Sequence, residues 1–336
     1  MPIPNDPKNR DWLDVSSANP KLVDEFRPCL VGFLAFDHGQ VPGLAGTGFV
    51  TSSFNFAPNK TIADLALVIT AKHVLTEGVL KIQRPDPRHA PSALFIPASA
   101  KTPLLHEEKL RAVWMGHESG DLLYARHLTY HDSSDIACCL LTPQEEYATQ
   151  FAPAQIPLDT TRPSVGDVVH MVSQGGRQIT DADRLPPTGA KGIGQQFTVR
   201  RRVSIRIGTV TAIYPQGFRQ YPWQCFTTSI PVEPGMSGGF VYLPRDGKQV
   251  AACGIVCADN STREAHTDYS LCGESVIACA WPALALKVPE YYENDAPLRT
   301  LLDMMKMGKM EPAIGGIDHI QIIDRDDGGF TIKRSD

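Results

Sequence analysis

No stretch of 18 or more apolar residues runs anywhere in the 336-residue chain, which excludes a membrane-spanning helix and leaves a membrane out of the expected partners. Basic excess is also missing. Lys and Arg number 32 against 37 Asp and Glu, giving a net charge of -5, so no global basic surface exists and nucleic acid is not an expected partner. The short run Arg200-Arg201-Arg202, between Val199 and Val203, reads as the solvated end of a strand. The N-terminal stretch MPIPNDPKNRDWLDV carries prolines and charges where a secretory signal needs an apolar core, so the expected location is cytoplasmic. None of the 8 cysteines shows zinc-type pair spacing or a compact disulfide framework, and the expectation is no metal and no cofactor. Cys138 and Cys139 are adjacent on an apolar strand and point to opposite faces. They and Cys29, Cys225, Cys253, Cys257, Cys272 and Cys279 read as small buried hydrophobes. No repeat of fixed period is present.

What the chain does have is many short strand-like runs bounded by Gly, Pro, Asn or Asp. They are Cys29–Phe36, Gly48–Ser52, Leu65–Thr70, Leu110–Met115, Leu122–His127, Ile136–Leu141, Val168–Val172, Ser204–Ile213, Phe226–Ile230, Gly239–Leu243, Ala251–Cys257 and Ser275–Ala280. Helical patterns concentrate at the ends, over Leu22–Phe26, Trp281–Lys287 and Leu298–Met307. Strands with few helices between them predict an all-β barrel or sandwich, not a βαβ sheet. Arg84–Leu104, with five prolines, and Gly175–Gln196 read as surface insertions. After about Pro289 the character changes to a Met-rich helix, then to HIQIIDRDDGGFTIKR, a hairpin pattern around Asp327-Gly328. The methionines at 304, 305, 307 and 310 read as helix packing. The expected organisation is a lead-in over 1–27, a first barrel over 28–150, a second over 151–288 and a C-terminal helix-and-hairpin extension over 289–336. That extension either packs against the second barrel, or recruits a partner or regulates access.

One short stretch carries chemistry. IPVEPGMSGGFVY, Ile230 to Tyr242, holds Ser237 in a Gly-x-Ser-x-Gly pattern. A nucleophile elbow needs a helix directly after the serine, and an acid and histidine further on. Here two glycines and FVYLP follow, which is strand sequence. An α/β-hydrolase esterase is therefore the weaker enzyme reading. Upstream, LVITAKHVL holds His73 and SSDIACCLL holds Asp135. The order His73, Asp135, Ser237 is that of the His-Asp-Ser triad. A serine hydroxyl needs a base to take its proton, an imidazole titrates near neutrality, and a carboxylate fixes the ring's tautomer. Asp132 and Asp121 are rivals for the carboxylate. As a bare pattern, Asp135 is also a turn residue at a strand entry.

GTGFV at Gly46–Val50, VITAKHV, SDIA, PSVGDVVHMVSQGG, RIGTVTAI, PGMSGGFVY and GIVCADN at Gly254–Asn260, in that order, resemble the motifs of the trypsin-like, chymotrypsin-fold serine peptidases. The style is closest to bacterial HtrA-type and glutamyl-endopeptidase-like members. The resemblance covers roughly residues 28–285. It implies two antiparallel six-stranded β-barrels with the active site between them, and a serine endopeptidase acting on protein or peptide. It implies His73 as base, Asp135 as its partner, Ser237 as nucleophile, and the N–H groups of Gly235 and Ser237 as the oxyanion donors. The cleft would be walled by Ile230, Pro231, Val232 and Glu233, by Gly254, Cys257, Ala258 and Asp259, and by Ser275 and Ile277. An extended substrate would pair with the Cys257–Asp259 strand. Secreted members place an aspartate before the nucleophile to receive a new N-terminal ammonium. Met236 stands there, so trypsin-style activation is not expected. The pocket base falls near Pro231, which leans toward an apolar or small P1 side chain, with Glu233, Asp259 and Glu274 as candidates to select a cation instead. A catalytically inactive protease-fold binding module is the non-enzyme alternative. About 50 residues after Pro289 are too few for the PDZ domain of HtrA-type enzymes.

Overall fold

In the computed structural model the described residues are 11–35, 43–55, 63–75, 110–116, 120–131, 134–143, 151–181, 197–218, 221–259, 275–290, 296–324 and 330–335. Alternation builds the first barrel. In β5 (Leu110–Met115) Leu110, Ala112 and Trp114 are buried while the residues between them are half-buried, the period-two signature of a strand with one face inward. All six residues of β4 (Leu65–Thr70) are buried, as a strand with protein on both faces requires. With β2 (Leu30–Ala35), β3 (Gly43–Phe54), β6 (Gly120–Tyr130) and β7 (Ala137–Pro143) they close a barrel in the order β2-β3-β4-β7-β6-β5. Every pairing in it is antiparallel. Closure removes the exposed edges that an open sheet of such apolar strands would present.

The second barrel repeats the plan. β8 (Val168–Asp181), β9 (Phe197–Tyr214), β10 (Cys225–Thr228), β13 (Ser275–Cys279), β12 (Gly254–Asp259) and β11 (Phe240–Tyr242) follow one another around the ring. β8 pairs with both β11 and β9 to shut it. A two-residue strand, β1 (Leu13–Asp14), is added to the outside of β9, with Asp14 opposite Arg206. The expected pair of six-stranded antiparallel barrels is what the chain forms. Each of the twelve expected runs falls on one of the twelve barrel strands.

Helices sit where capping chemistry permits them. Asn19 accepts from Leu22 N at 3.2 Å to start α1 (Pro20–Phe26), and Pro20 occupies the first turn, where its missing N–H costs nothing. Pro28 then ends it in a 3-10 turn, Arg27–Cys29. Phe26 at the end of α1 packs on β11 of the second barrel. Its ring lies 5.7 Å from that of Phe240 on β11, which in turn lies 5.3 Å from Phe49 on β3.

Three expectations need correction. The insertion expected over Gly175–Gln196 begins as strand. β8 continues to Asp181 and β9 starts at Phe197, because the Gly175-Gly176 pair is absorbed by a register shift between Gly175 and Gln178, a bulge. The rest of it, 182–196, and all of Arg84–Leu104 lie outside the described residues. The helix expected over Trp281–Lys287 is a 3-10 turn, Trp281–Ala285, followed by β14 (Lys287–Pro289). The helix expected over Leu298–Met307 is shortened. Its first three residues form β15 (Leu298–Thr300) against β14, and Thr300 then caps α2 (Leu301–Lys306) by accepting from Asp303 N at 3.0 Å. Met304, Met305 and Met310 are buried, as helix packing requires, and Met307 is exposed. β16 (Ile320–Asp324) and β17 (Phe330–Arg334) form the expected hairpin, whose turn lies outside the described residues. The extension folds back on the segment joining the barrels. Thr160 N donates to Ile314 O at 2.9 Å, and Arg334 donates to Thr160 O.

The aromatic packing between the barrels is open to a direct test. Phe240 is fully buried between Phe26 and Phe49. Phe240→Ala is expected to lower stability by about 3–5 kcal/mol, read from urea unfolding with an unchanged m-value.

Candidate active site between the barrels

His73 follows β4 directly. The apolar run Leu65–Thr70 ends at the barrel mouth, and residues 72–75 turn helically with Val74 N donating to Ala71 O at 3.1 Å. Asp135 stands just ahead of β7. The two meet twice. Asp135 Oδ1 accepts from the His73 backbone N–H at 2.9 Å, and Oδ2 lies 2.6 Å from Nδ1. A carboxylate accepts, so in a neutral imidazole this contact selects the Nδ1–H tautomer, which puts the lone pair on Nε2. Asp135 is 7% exposed, while the His73 side chain keeps 31% of its surface open. The rival Asp121 lies within β6, opposite Trp114, and Asp132 is outside the described residues.

Ser237 sits in a turn where two glycines do different jobs. Gly235 has φ +98° and Gly238 has φ +85°, a region where a side chain is strained. A methyl on Gly238 would also lie 1.9 Å from Thr47 O and 2.2 Å from Thr70 Oγ1, so the nucleophile turn is pressed against the first barrel. Thr47 of β3 fastens it there. Thr47 N donates to Ser237 O at 2.8 Å and Thr47 Oγ1 to Gly235 O at 2.7 Å. The N–H groups of Gly238 and Gly239 are used by Val256 O and Met236 O. Among the described residues, those of Gly235 and Ser237 meet no acceptor.

Cys257 joins the serine to the acid. The pairing of β12 with β13 shifts between Val256 and Ala258, and this bulge takes Cys257 out of the ladder. Its carbonyl accepts from Ser237 Oγ at 3.1 Å, and its thiol lies 3.9 Å from Asp135 O. Gly46 is shared in the same way. A methyl there would lie 2.6 Å from Val74 Cγ2 and 2.9 Å from Ser237 O. Val74, next to His73, and the Ser237 carbonyl thus both meet at Gly46. The Ser237 hydroxyl itself is directed to Cys257 O.

The expected cleft walls divide by environment. Ile230 and Val232 are buried and Glu233 is half-exposed, its carboxylate ion-paired with Arg206. Ser275 and Ile277 are fully buried, with Ser275 Oγ 2.6 Å from Thr228 Oγ1. A methyl on Gly254 would lie 2.4 Å from Ile277 Cγ2. β11 reaches no further than Ile255 opposite β12. Ala258 and Asp259 therefore pair with Val276 and Ser275 on one side and, among the described residues, with no strand on the other. No group of described residues could hold a metal ion, and no described helix is long and apolar enough to cross a membrane. Thr47 and Arg206 were not singled out from the sequence. The Gly-Thr-Gly triplet marks the first only as a tight strand, and nothing local marks the second.

Two closed antiparallel barrels, with an imidazole–carboxylate pair on one and a glycine-flanked serine on the other, define a chymotrypsin-fold protein. The family of the trypsin-like peptidase domain matches residues 46–251, and the chain belongs to it. The match does not narrow to HtrA-type or glutamyl-endopeptidase-like members. No curated protein matches the chain. Among solved structures it is similar to the apo MamO protease domain from Magnetospirillum magneticum, with 14% identity, 76% of this chain and 94% of that one covered, and a TM-score of 0.41. It is also similar to GrC, with 12% identity, coverage of 77% and 92%, and a TM-score of 0.41. Neither likeness is strong enough to carry an argument about the site.

Two predictions come from this geometry. Thr47→Val removes the hydroxyl that Gly235 O uses and leaves a buried carbonyl unpaired. A loss of about 1–3 kcal/mol is expected in denaturant melts, with Thr47→Ser close to wild type. His131, just before the Asp135 loop, is pushed down to about 4 by burial, with the charge of Lys72 adding. The unfolded chain takes up this proton near 6.5, so the contribution of neutral His131 is complete above that pH. It is lost progressively as pH falls toward 4, by at most about 1.4 kcal/mol per pH unit. His131→Gln should flatten the melting temperature against pH across that window.

Proposed function

We propose that the protein is a serine endopeptidase that works through His73, Asp135 and Ser237. The observation that carries this reading is the 2.6 Å approach of His73 Nδ1 to Asp135 Oδ2, with Val74 beside His73 and the carbonyl of Ser237 both packed at Gly46. Asp135 holds the Nδ1 proton, so Nε2 is the base. The Ser237 hydroxyl turns about χ1 from Cys257 O toward Nε2, gives up its proton and attacks the substrate carbonyl carbon. The carbonyl electron pair moves to oxygen, and the resulting oxyanion takes the N–H groups of Gly235 and Ser237. The imidazolium returns its proton to the leaving amine as the C–N bond breaks. Water then repeats the sequence on the acyl-enzyme and frees Ser237.

The substrate is an extended peptide lying along Cys257–Asp259, where β12 has a free side, among the described residues, for backbone pairing. The P1 preference is apolar or small. Ile230 and Val232 supply an apolar wall, and the Glu233 carboxylate is already neutralised by Arg206. Met236 is buried and carries no charge to receive an N-terminal ammonium, so the reading involves no trypsin-style activation. A second reading, a peptide-binding module of the same fold without turnover, is favoured by one observation, the Ser237 hydroxyl directed to Cys257 O.

Hydrolysis separates the two. Wild-type protein is expected to cut casein-like substrates after apolar residues and to label at Ser237 with a fluorophosphonate. Ser237→Ala and His73→Ala should each lose at least about 10³-fold in kcat/KM. Equal proteolysis by wild type and Ser237→Ala would end the peptidase reading.

A further inference from the structure

Among the described residues, Arg206 is a strong charge buried within a strand of the second barrel, with no part in the proposed chemistry. Arg206, in the middle of β9, is 5% exposed. Its guanidinium spans two residues of the segment that leads into the nucleophile turn. Nη1 donates to Pro231 O at 2.7 Å, and Nη2 pairs with the Glu233 carboxylate. From the other side the N-terminal segment covers it. The Trp12 ring centre lies 5.2 Å from Cζ, and an Asp14 carboxylate oxygen lies 4.0 Å from Nε. That segment is itself tied to the barrel. Val15 N donates to Ile205 O at 3.0 Å, Ile205 N to Ser16 Oγ at 2.8 Å, and Ser229 Oγ to Asp11 O at 2.7 Å.

Burying an ion pair is a poor way to gain stability, since desolvation offsets most of the attraction; fixing one geometry is its better attested use. Here the geometry is that of the nucleophile turn. Glu233 O accepts from Met236 N at 3.0 Å, and Glu233 N lies 3.3 Å from Met236 Sδ. Glu233 therefore closes the turn that holds Gly235, and the next turn, closed by Gly239 N on Met236 O at 3.0 Å, holds Ser237. The two turns share Met236, so Glu233 is joined to both amides through one residue. Donors of this kind act only when pre-aimed at the developing charge.

Building on the peptidase reading, we propose that Arg206 is a positioning residue of the active site. It holds Pro231 and Glu233, and through them the Gly235 and Ser237 amides, and the Trp12–Ser16 segment is the built-in brace that seats it. The brace reaches the turn through Glu233, three residues ahead of uncharged Met236. Order in the N-terminal segment and competence of the oxyanion donors are thereby linked within one chain.

The test uses full-length protein below its melting temperature. Arg206→Lys keeps the charge and loses the planar fork. Glu233→Gln and Trp12→Ala remove one partner each, and serve where the arginine variant fails to fold. Amide hydrogen exchange over residues 229–240 is expected to speed up by tenfold or more in Arg206→Lys, and by less in Trp12→Ala. On a peptide substrate kcat should fall about 10–100-fold in Arg206→Lys, with KM changed less than threefold. Arg206→Lys/Glu233→Gln should lose little more than Arg206→Lys alone, because both act on one link. Exchange and kcat within twofold of wild type, in variants that fold, would overturn the proposal. A wild-type protein no more active than Ser237→Ala would overturn the peptidase reading instead, and the exchange data would still decide whether Arg206 holds the turn.

Discussion

Two hydrogen bonds from one threonine hold the candidate site together. Thr47 belongs to the first barrel, yet its N–H and hydroxyl go to Ser237 O and Gly235 O in the second. They fix the peptide planes on either side of the Ser237 N–H. With both carbonyls drawn toward β3, the amides of Gly235 and Ser237 are left without acceptors among the described residues. The turn also lies directly on β3, where Gly238 has no room for a methyl against Thr47 O. Without Thr47 in place, each barrel could keep its own hydrogen-bond ladder while the groove between them changed shape.

Much of this was legible in the sequence, for a physical reason. Barrel strands are written locally. Alternation in Leu110–Met115 and a short apolar run in Leu65–Thr70 report one or two buried faces without reference to the rest of the chain. The family motifs around His73, Asp135 and Ser237 are equally local, since a tight turn or a strand end needs particular residues at each position. What stayed hidden depends on partners far away in the chain. β1 is two residues long and exists only because β9 offers an edge. Leu298–Thr300 has helical spacing, but β14 takes it as strand. Gly175 and Gly176 look like loop residues until a bulge in a long hairpin absorbs them. Arg206 lies in a strand of mixed polarity, and its role follows from residues 14, 231 and 233, which no window on the sequence brings together.

Charge in the second barrel is arranged around the turn without entering it. Met236 is buried and neutral, and the ion pair beside the turn is the one Arg206 makes with Glu233. The pair sets the turn's geometry from behind and leaves the groove side with backbone donors and apolar walls. Such a site favours an oxyanion through fixed amide dipoles, since the Arg206 guanidinium is buried and already engaged and so is not offered to a substrate carboxylate. The pairing also engages the Glu233 carboxylate, which supports the apolar P1 preference of the proposed function.

The bond from Ser237 Oγ to Cys257 O is the feature that most invites an inactive reading, and magnitudes decide how much weight it carries. A neutral hydrogen bond of this kind contributes about 0.5–1.5 kcal/mol net, and a χ1 rotation about a staggered bond releases it. A single pre-aimed oxyanion donor is worth about 2.7–4 kcal/mol in the transition state, and the turn offers two. In the proposed mechanism the resting bond is therefore a small cost against a much larger gain. It also has a structural use. The bulge against β13 falls at Cys257, just past the last backbone bonds from Val256 to Gly238 and Gly239, and the Cys257 thiol lies 3.9 Å from Asp135 O. The serine's resting partner and the acid's backbone neighbour are thus one residue, standing where β12 passes beyond the nucleophile turn.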